Sequence, residues 1–347
     1  MTTRTRYFVI TSLLVLTVGL GTGLVAYYVG FPAGAHGQHA GPVELEYIPR
    51  DATVIAFANV HEVMTSDLRQ RFHRAMPMQE NGQRELQEQT GINIETDIDR
   101  IVACVHPDSA STSLPGAGMV LARGRFDEVK IEALMREHGA HVEDYSGRRL
   151  NVGDATRDVN IGDEKKHVGG SFALSFIEPG LAAIGSTTLI KSAIDLHRAG
   201  NNPQAGLESV TGSEELMNLV KSMDDGNAWA VGRFDALRSQ ARLPENVASQ
   251  IPAITWFAIN THINGGIRGM IRAEARDDVA ANNLRDVVRG FLALAKLQTS
   301  SKPELQTMVD SLEVGGANKT VSIAFMVPSE VFDLIGAFAN QAAPRRH

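Results

Sequence analysis

The residues that could act as nucleophiles or hold phosphates stand at spacings that match no established catalytic motif. The 347-residue chain contains no Gly-x-Ser-x-Gly nucleophile elbow, no Gly-x-x-x-x-Gly-Lys phosphate loop, no His-Glu-x-x-His zinc motif and no EF-hand loop. Its single cysteine, Cys104, lies in the apolar run 101–105, which indicates a buried strand. Because a thiol nucleophile needs a basic neighbour or a helix N-terminus that lowers its pKa, we expect Cys104 to pack in the core.

The histidine and carboxylate residues do not have the pattern of a metal site either. The segments with a ligand-like composition are 36–39, 138–144 and 154–167. The first lies in a glycine-rich stretch without further ligands, the second is interrupted by Gly139, which is expected to end a helix, and the third contains two lysines. We therefore predict no metal, no cofactor and no catalytic residue.

Two helix starts are marked by the same tetrapeptide. Gly-Arg-Phe-Asp occurs at 124–127 and at 232–235, each time between a strand-like run and an amphipathic segment. Asp127 and Asp235 stand where an N-cap carboxylate accepts the free amide hydrogens of the first helical turn. The phenylalanine before each of them suits a hydrophobic staple. We predict that both aspartates are structural helix caps, and we interpret the acidic pair at 277–278 in the same way.

A longer correspondence suggests an internal repeat. Residues 118–127 and 269–278 are identical at five of ten positions. Strand-like and helix-like runs around both segments follow the order strand, helix, strand, strand, helix, strand, which is the split βαβ order of ferredoxin-like folds. We therefore predict an α+β fold with two tandem ferredoxin-like repeats, at 43–200 and 213–341, with antiparallel or mixed sheets. The alternative is one continuous α/β domain whose junctions are similar by chance.

Composition indicates the segments between and beyond the repeats. Residues 201–212 are rich in Gly, Asn, Pro and Ser and are expected to link the two repeats. Residues 30–42 are rich in Gly and contain no charge, which is typical of a flexible linker. Residues 1–29 are assigned to a cytoplasmic stub with a transmembrane anchor, and residues 342–347 to a disordered tail.

The anchor is predicted from an uninterrupted apolar stretch, Tyr7–Tyr28, which contains no charged residue. At about 1.5 Å per residue a helix of this length covers the ~30 Å hydrocarbon core of a bilayer. Arg4 and Arg6 precede it and no acidic residue occurs before Glu44, so the positive-inside rule keeps the N-terminus in the cytoplasm. The alternatives are a cleaved signal peptide, with a cleavage site at 33–35, and a buried core helix.

Two glycines in the apolar stretch have the spacing of a helix-pairing motif. Gly19 and Gly23 are four residues apart and therefore lie on one face of the predicted helix. This spacing lets two transmembrane helices approach each other closely, so a homodimer is one interpretation. The alternative is that glycine is simply common in membrane helices.

The charge balance argues against nucleic acid as a partner. The chain has 33 basic and 40 acidic residues, and its formal net charge is −7 at pH 7. Binding to phosphate backbones depends on clustered Lys and Arg, and the sequence contains no basic run. We therefore expect a protein or peptide partner and the membrane itself, but no nucleic acid.

The longest amphipathic segment, 277–298, carries apolar residues at near-helical spacing. They are Val279, Leu284, Val287, Val288, Phe291, Leu292 and Leu294. We expect this apolar face to cover a sheet. A surface for a partner is the secondary interpretation.

The start of the first predicted repeat resembles a broad group of uncharacterised bacterial exported proteins. Members of that group have an N-terminal anchor and then a Leu-Pro-Ala-Asp-like turn before an apolar strand. Pro49, Asp51 and Ala52 match this turn, whereas Ile48 and Arg50 differ from it. The resemblance implies export and membrane anchoring, and it implies no activity or catalytic residue.

From these patterns we predict that the protein is a binding or structural module rather than an enzyme. The predicted protein is held in the inner (cytoplasmic) membrane by a single span, with its N-terminus in the cytoplasm and its bulk in the periplasm or outside the cell. One alternative is a hydrolase with its site in the cleft between the repeats, which would gather titratable residues with shifted pKa values. Another is a carrier of lipids or small ligands, which would need an enclosed apolar cavity.

Overall fold

The computed structural model describes residues 41–69, 84, 87–106, 118–161, 164–200, 207–223, 226–234, 254–263, 265–299 and 303–331. The predicted transmembrane helix at 7–28, with Gly19 and Gly23, lies outside these residues. Within them, no helix combines the length and the apolar composition that crossing a membrane requires.

Twelve strands within the described residues form one antiparallel sheet. They are β1 (Val54–Ala58), β2 (Ile98–Val105), β3 (Gly118–Gly124), β4 (His141–Tyr145), β5 (Arg148–Ile161), β6 (Glu164–Glu178), β7 (Leu181–Ser186), β8 (Ala228–Arg233), β9 (Ile254–Ile263), β10 (Ile267–Ala275), β11 (Glu313–Gly315) and β12 (Thr320–Val327). Their order across the sheet is β11-β12-β10-β9-β8-β1-β2-β3-β7-β6-β5-β4.

Helices occur between these strands. The α-helices in the described residues are α1 (Val60–Thr65), α2 (Ile94–Asp97), α3 (Glu128–Glu137), α4 (Thr187–Ala199), α5 (Glu214–Lys221), α6 (Asp278–Thr299) and α7 (Pro303–Asp310). The same described residues include two short 3-10 helices, Val43–Tyr47 and Val210–Gly212.

The prediction of two ferredoxin-like repeats is wrong, because the strands form a single twelve-stranded antiparallel sheet with a different neighbour order. In a split βαβ unit the two strands that flank the first helix run parallel, with a third strand between them. Here β1 pairs directly and antiparallel with β2, with Ala56 opposite Ala103. Likewise β8 pairs directly and antiparallel with β9, with Ala230 opposite Ile259. Strand and helix periodicity is local, so it carries little information on which strands become neighbours.

The chain divides into two compact units, of which the first contains β1 to β7. Its central strands are apolar on both faces, as the buried run Met119–Ala122 in β3 shows. On β6, Phe172 and Phe176 pack against Ile131 and Met135 of α3. Ala173 and Ser175 of β6 point to the opposite face and are also buried, and α4 contacts this strand as well.

The second compact unit contains β8 to β12. β9 and β10 form a hairpin whose turn includes Gly265 at φ 72°, a left-handed conformation that glycine adopts without a steric penalty. α6 packs Ala281 against Ala275 of β10 and Val321 of β12. The base of this helix is therefore fixed to one face of the sheet.

Candidate functional site

The most deeply buried carboxylate in the described residues, that of Glu44, lies in the first compact unit. Glu44 belongs to the 3-10 helix Val43–Tyr47 and is fully buried. Nε of Arg100 lies 3.1 Å from both carboxylate oxygens, and Nε of Arg123 lies 2.9 Å from Oε1. The two arginines are opposite each other on β2 and β3, so the sheet itself places both guanidinium groups beside one carboxylate.

A second carboxylate extends this arrangement. Nη2 of Arg123 lies 2.5 Å from Oε1 of Glu178, and the hydroxyl of Tyr47 donates to Oε2 of Glu178 at 3.4 Å. We call Glu44, Tyr47, Arg100, Arg123 and Glu178 the Glu44 network. It contains two negative and two positive side chains, so its formal charges balance.

The electrostatics of the Glu44 network favour fixed ionisation rather than proton transfer. Burial raises the pKa of Glu44, but the hydrogen bonds from Arg100 and Arg123 outweigh it and hold the pKa below its ordinary value. Burial and the charge of Glu178 raise the pKa of Tyr47. A carboxylate that stays ionised between two guanidinium groups is a poor general acid or base. We therefore interpret the network as a structural ion cluster that holds the 3-10 helix against the sheet.

Polar contacts on the edge strand β4 are half-buried and do not belong to the Glu44 network. Tyr145 donates to Oδ2 of Asp195 at 2.7 Å, and Nζ of Lys191 lies 3.1 Å from Glu143. An ion pair that keeps as much contact with solvent as that of Lys191 and Glu143 contributes little to stability. These contacts do place charges along an edge strand, which discourages the addition of another strand.

The sequence-derived metal candidates are not assembled in the described residues. His141 lies 3.3 Å from Glu143, whereas Nδ1 of His138 lies 2.8 Å from the carbonyl oxygen of Leu134 at the end of α3. No group of three or more His, Cys, Asp or Glu side chains in the described part of the chain could hold a metal ion.

Cys104 is buried in β2, and burial raises the pKa of its thiol to about 12. Such a thiol is protonated at neutral pH and is not a nucleophile.

The structure describes the predicted caps Asp127 and Asp277, but not Asp235. Oδ1 of Asp127 accepts a hydrogen bond from the backbone N–H of Lys130 at 3.0 Å, at the start of α3. Oδ1 of Asp277 accepts from the N–H of Ala280 at 2.8 Å, at the start of α6. Asp235, Gly19 and Gly23 lie outside the described residues.

One side of α6 presents an apolar surface to solvent. It consists of Val287, Gly290, Phe291, Leu294 and Leu297, and we call it the outer face of α6. The exposed fractions are 45 % for Val287, 67 % for Phe291, 56 % for Leu294 and 75 % for Leu297. Scattered apolar residues are normal on surfaces, but several along one helix face are typical of an interaction site.

The opposite side of α6 fixes the helix to the sheet. Nη2 of Arg285 donates to the carbonyl oxygens of Asn318 and Thr320 at 2.6 and 2.9 Å. Nη1 of the same arginine donates to Oδ1 of Asn282 at 2.6 Å. Since Arg285 is buried and bonded in this way, the outer face is presented by a helix with a fixed rotation about its axis.

The sequence expectation for this helix was therefore right for one side only. Leu284, Val288 and Leu292 are half-buried toward the sheet, whereas Val287, Phe291 and Leu294 are exposed. The signal that separates them is spacing: each set repeats at three or four residues, but the sets are rotated relative to each other. One apolar segment thus contains two apolar faces.

These features stand without support from known proteins. No protein-family model matches the chain, and no curated protein or solved structure is significantly similar to it.

Proposed function

We propose that this chain is a membrane-anchored extracytoplasmic binding or structural module, which acts through protein contacts and not through catalysis. The observation that carries the proposal is the outer face of α6. It is apolar and exposed on a helix whose other side is bonded to the sheet through Arg285. Leaving four large apolar side chains in water is unfavourable, and a protein partner would remove that cost.

The Glu44 network fits a mechanical role in such a protein. The proposed tether, residues 30–42, leads directly into the 3-10 helix Val43–Tyr47. Glu44 fixes this helix to β2 and β3 through two arginines. A pull on the tether is thus carried by the sheet rather than by a loosely attached terminus.

The membrane anchor in this proposal rests on the sequence alone. Its support is the apolar stretch 7–28, the preceding Arg4 and Arg6, and the resemblance of 47–60 to exported bacterial proteins. Alkaline phosphatase fused after Gly41 is expected to be active, because that enzyme folds outside the cytoplasm. Activity of a β-galactosidase fusion at the same point, with an inactive phosphatase fusion, would overturn the orientation.

The contact role is tested by photo-crosslinking in cells that express the full chain. A photoreactive benzoylphenylalanine replaces Phe291, and in a matched control it replaces Arg289, which is exposed on the same helix but outside the outer face. Light is expected to link position 291 to a polypeptide and to leave position 289 without an adduct. Absence of an adduct at 291, in a chain that folds and is exported, would overturn the proposed function.

A further inference from the structure

We infer that the partner of the outer face of α6 is a second copy of this chain, and that the two α6 helices pair antiparallel about a twofold axis. This inference rests on the proposed function and names its partner. The partner is assigned from two properties of the outer face, its spacing and the open position at its centre, and the area of the face indicates the strength of the contact.

The spacing is self-complementary. The apolar positions Val287 and Leu294 lie symmetrically about the midpoint between Gly290 and Phe291. In a twofold pair, a residue i of one copy contacts j of the other while j contacts i. Antiparallel pairing therefore sets Val287 of each copy against Leu294 of the other.

The centre of the face provides a hole and a knob. A Cβ atom added at Gly290 would meet no heavy atom within 4 Å, so the surface there is open. Phe291 is the neighbouring residue, and 67 % of it is exposed. At the twofold axis the ring of Phe291 from each copy lies over Gly290 of the other. Knobs of this kind, packed into holes on a facing helix, are the usual contact of paired helices. The outer face contains no charged residue, so contact along it buries no charge.

The area of the face indicates a weak dimer that the membrane would strengthen. Its four large side chains expose roughly 100 Å² each, which gives about 800 Å² of buried area for two copies. Stable complexes bury about 1,200–2,000 Å². The proposed tether has 13 residues and a reach of about 45 Å, so anchoring confines two copies to a thin layer with a high effective concentration.

The test uses cysteine cross-linking of the full-length chain in membranes, where Cys104 is buried and does not interfere. Gly290→Cys places the new thiols of two copies near the proposed axis. Leu297→Cys places them about 20 Å apart in an antiparallel pair, because residue 297 lies some 13 residues along the helix from its counterpart. Arg289→Cys is the control outside the outer face. Mild oxidation is expected to give a band at twice the 37.5 kDa monomer mass for Gly290→Cys alone.

A second substitution checks that the face itself makes the contact. Phe291→Arg in the Gly290→Cys background is expected to reduce the dimer band at least about tenfold, since it puts a charge into the apolar contact. Because Phe291 is largely exposed, the substitution should leave the fold intact, which circular dichroism checks.

The outcomes separate the two proposals. Cross-linking at both 290 and 297 would indicate parallel helices and overturn the antiparallel pair. If the photoreactive residue at 291 links to a polypeptide of another mass and Gly290→Cys gives no dimer, the self-pairing is wrong while the contact function stands. If neither experiment gives an adduct, both proposals fail.

Discussion

At the scale of single residues, the Glu44 network decides how the 3-10 helix Val43–Tyr47 joins the sheet. A carboxylate that is almost fully buried is stable there because two guanidinium groups donate to it. Its partners lie 56 and 79 residues away in the sequence. Nothing local in the sequence around Glu44 marks it as different from the exposed Glu46 two residues later.

Glu44→Gln is expected to lower the free energy of unfolding by about 2–3 kcal/mol. The change leaves Arg100 and Arg123 without their shared charge, and breaking a buried ion pair costs about 3–5 kcal/mol, reduced here because both arginines are partly exposed. Urea unfolding in detergent, followed by circular dichroism, measures the difference. Glu46→Gln is the matched control and should change stability by less than about 0.5 kcal/mol. Equal effects of the two substitutions would contradict the role assigned to the network.

The same carboxylate predicts a pH dependence. The pKa of Glu44 in the folded protein lies below its ordinary value of 4.5, because the two arginines favour the charged form more than burial opposes it. Its contribution to stability is therefore complete above about pH 4.5 and is lost as the pH falls through the lower folded pKa. The stability difference between the wild-type chain and Glu44→Gln should thus be constant from pH 7 to about pH 5 and should shrink at lower pH. A stability difference that grows on acidification would show that folding raises the pKa of Glu44 instead of lowering it.

Cys104 is expected to resist thiol reagents in the folded protein. With its pKa raised to about 12 by burial, only about one thiol in ten thousand is ionised at pH 8. A chromogenic disulfide reagent should label it slowly in buffer and completely in denaturant. Rapid labelling of the folded chain would mean that the thiol is accessible, and the cysteine cross-linking experiment would then need a Cys104→Ser background.

At the scale of elements, what could be read from the sequence depended on how local the interaction is. The cap of α3 joins Asp127 to the N–H of Lys130, three residues later, and so it follows from a tetrapeptide. The strand order could not be derived, because β3 takes its neighbour from β7, after more than fifty intervening residues. The two faces of α6 are an intermediate case: the periodicity was visible, but which apolar face meets the sheet depends on Arg285 and its distant carbonyl partners.

The cap of α3 gives a prediction at this scale. Asp127→Ala removes the carboxylate oxygen that accepts from the N–H of Lys130 and should lower the free energy of unfolding by about 1 kcal/mol. Asp127→Asn keeps an oxygen that can accept the same hydrogen bond and should change stability by only a few tenths of a kcal/mol. Urea unfolding of the two variants distinguishes them. If both variants lose the same stability, Asp127 stabilises the helix through its charge and not through the hydrogen bond.

At the scale of the whole molecule, the proposed anchor and the proposed contact depend on each other. The outer face of α6 is too small for a stable dimer between freely diffusing copies, since about 800 Å² lies below the usual range. An anchor and a short tether would confine the copies to the plane of the membrane, which raises their effective concentration. The proposed dimer would thus depend on the anchor and on the surface density of the protein.

This dependence can be measured by reconstituting full-length Gly290→Cys in lipid vesicles. A roughly tenfold increase in the ratio of lipid to protein lowers the surface density of the chain, and a weak contact should then lose most of its dimer band. Raising sodium chloride from about 0.05 to 0.5 M should have little effect, because the outer face contains no charged residue and salt screens only charge interactions. A salt-sensitive band would assign the contact to neighbouring charges such as Asp286 and Arg289. A band that survives dilution would require an interface larger than α6 provides.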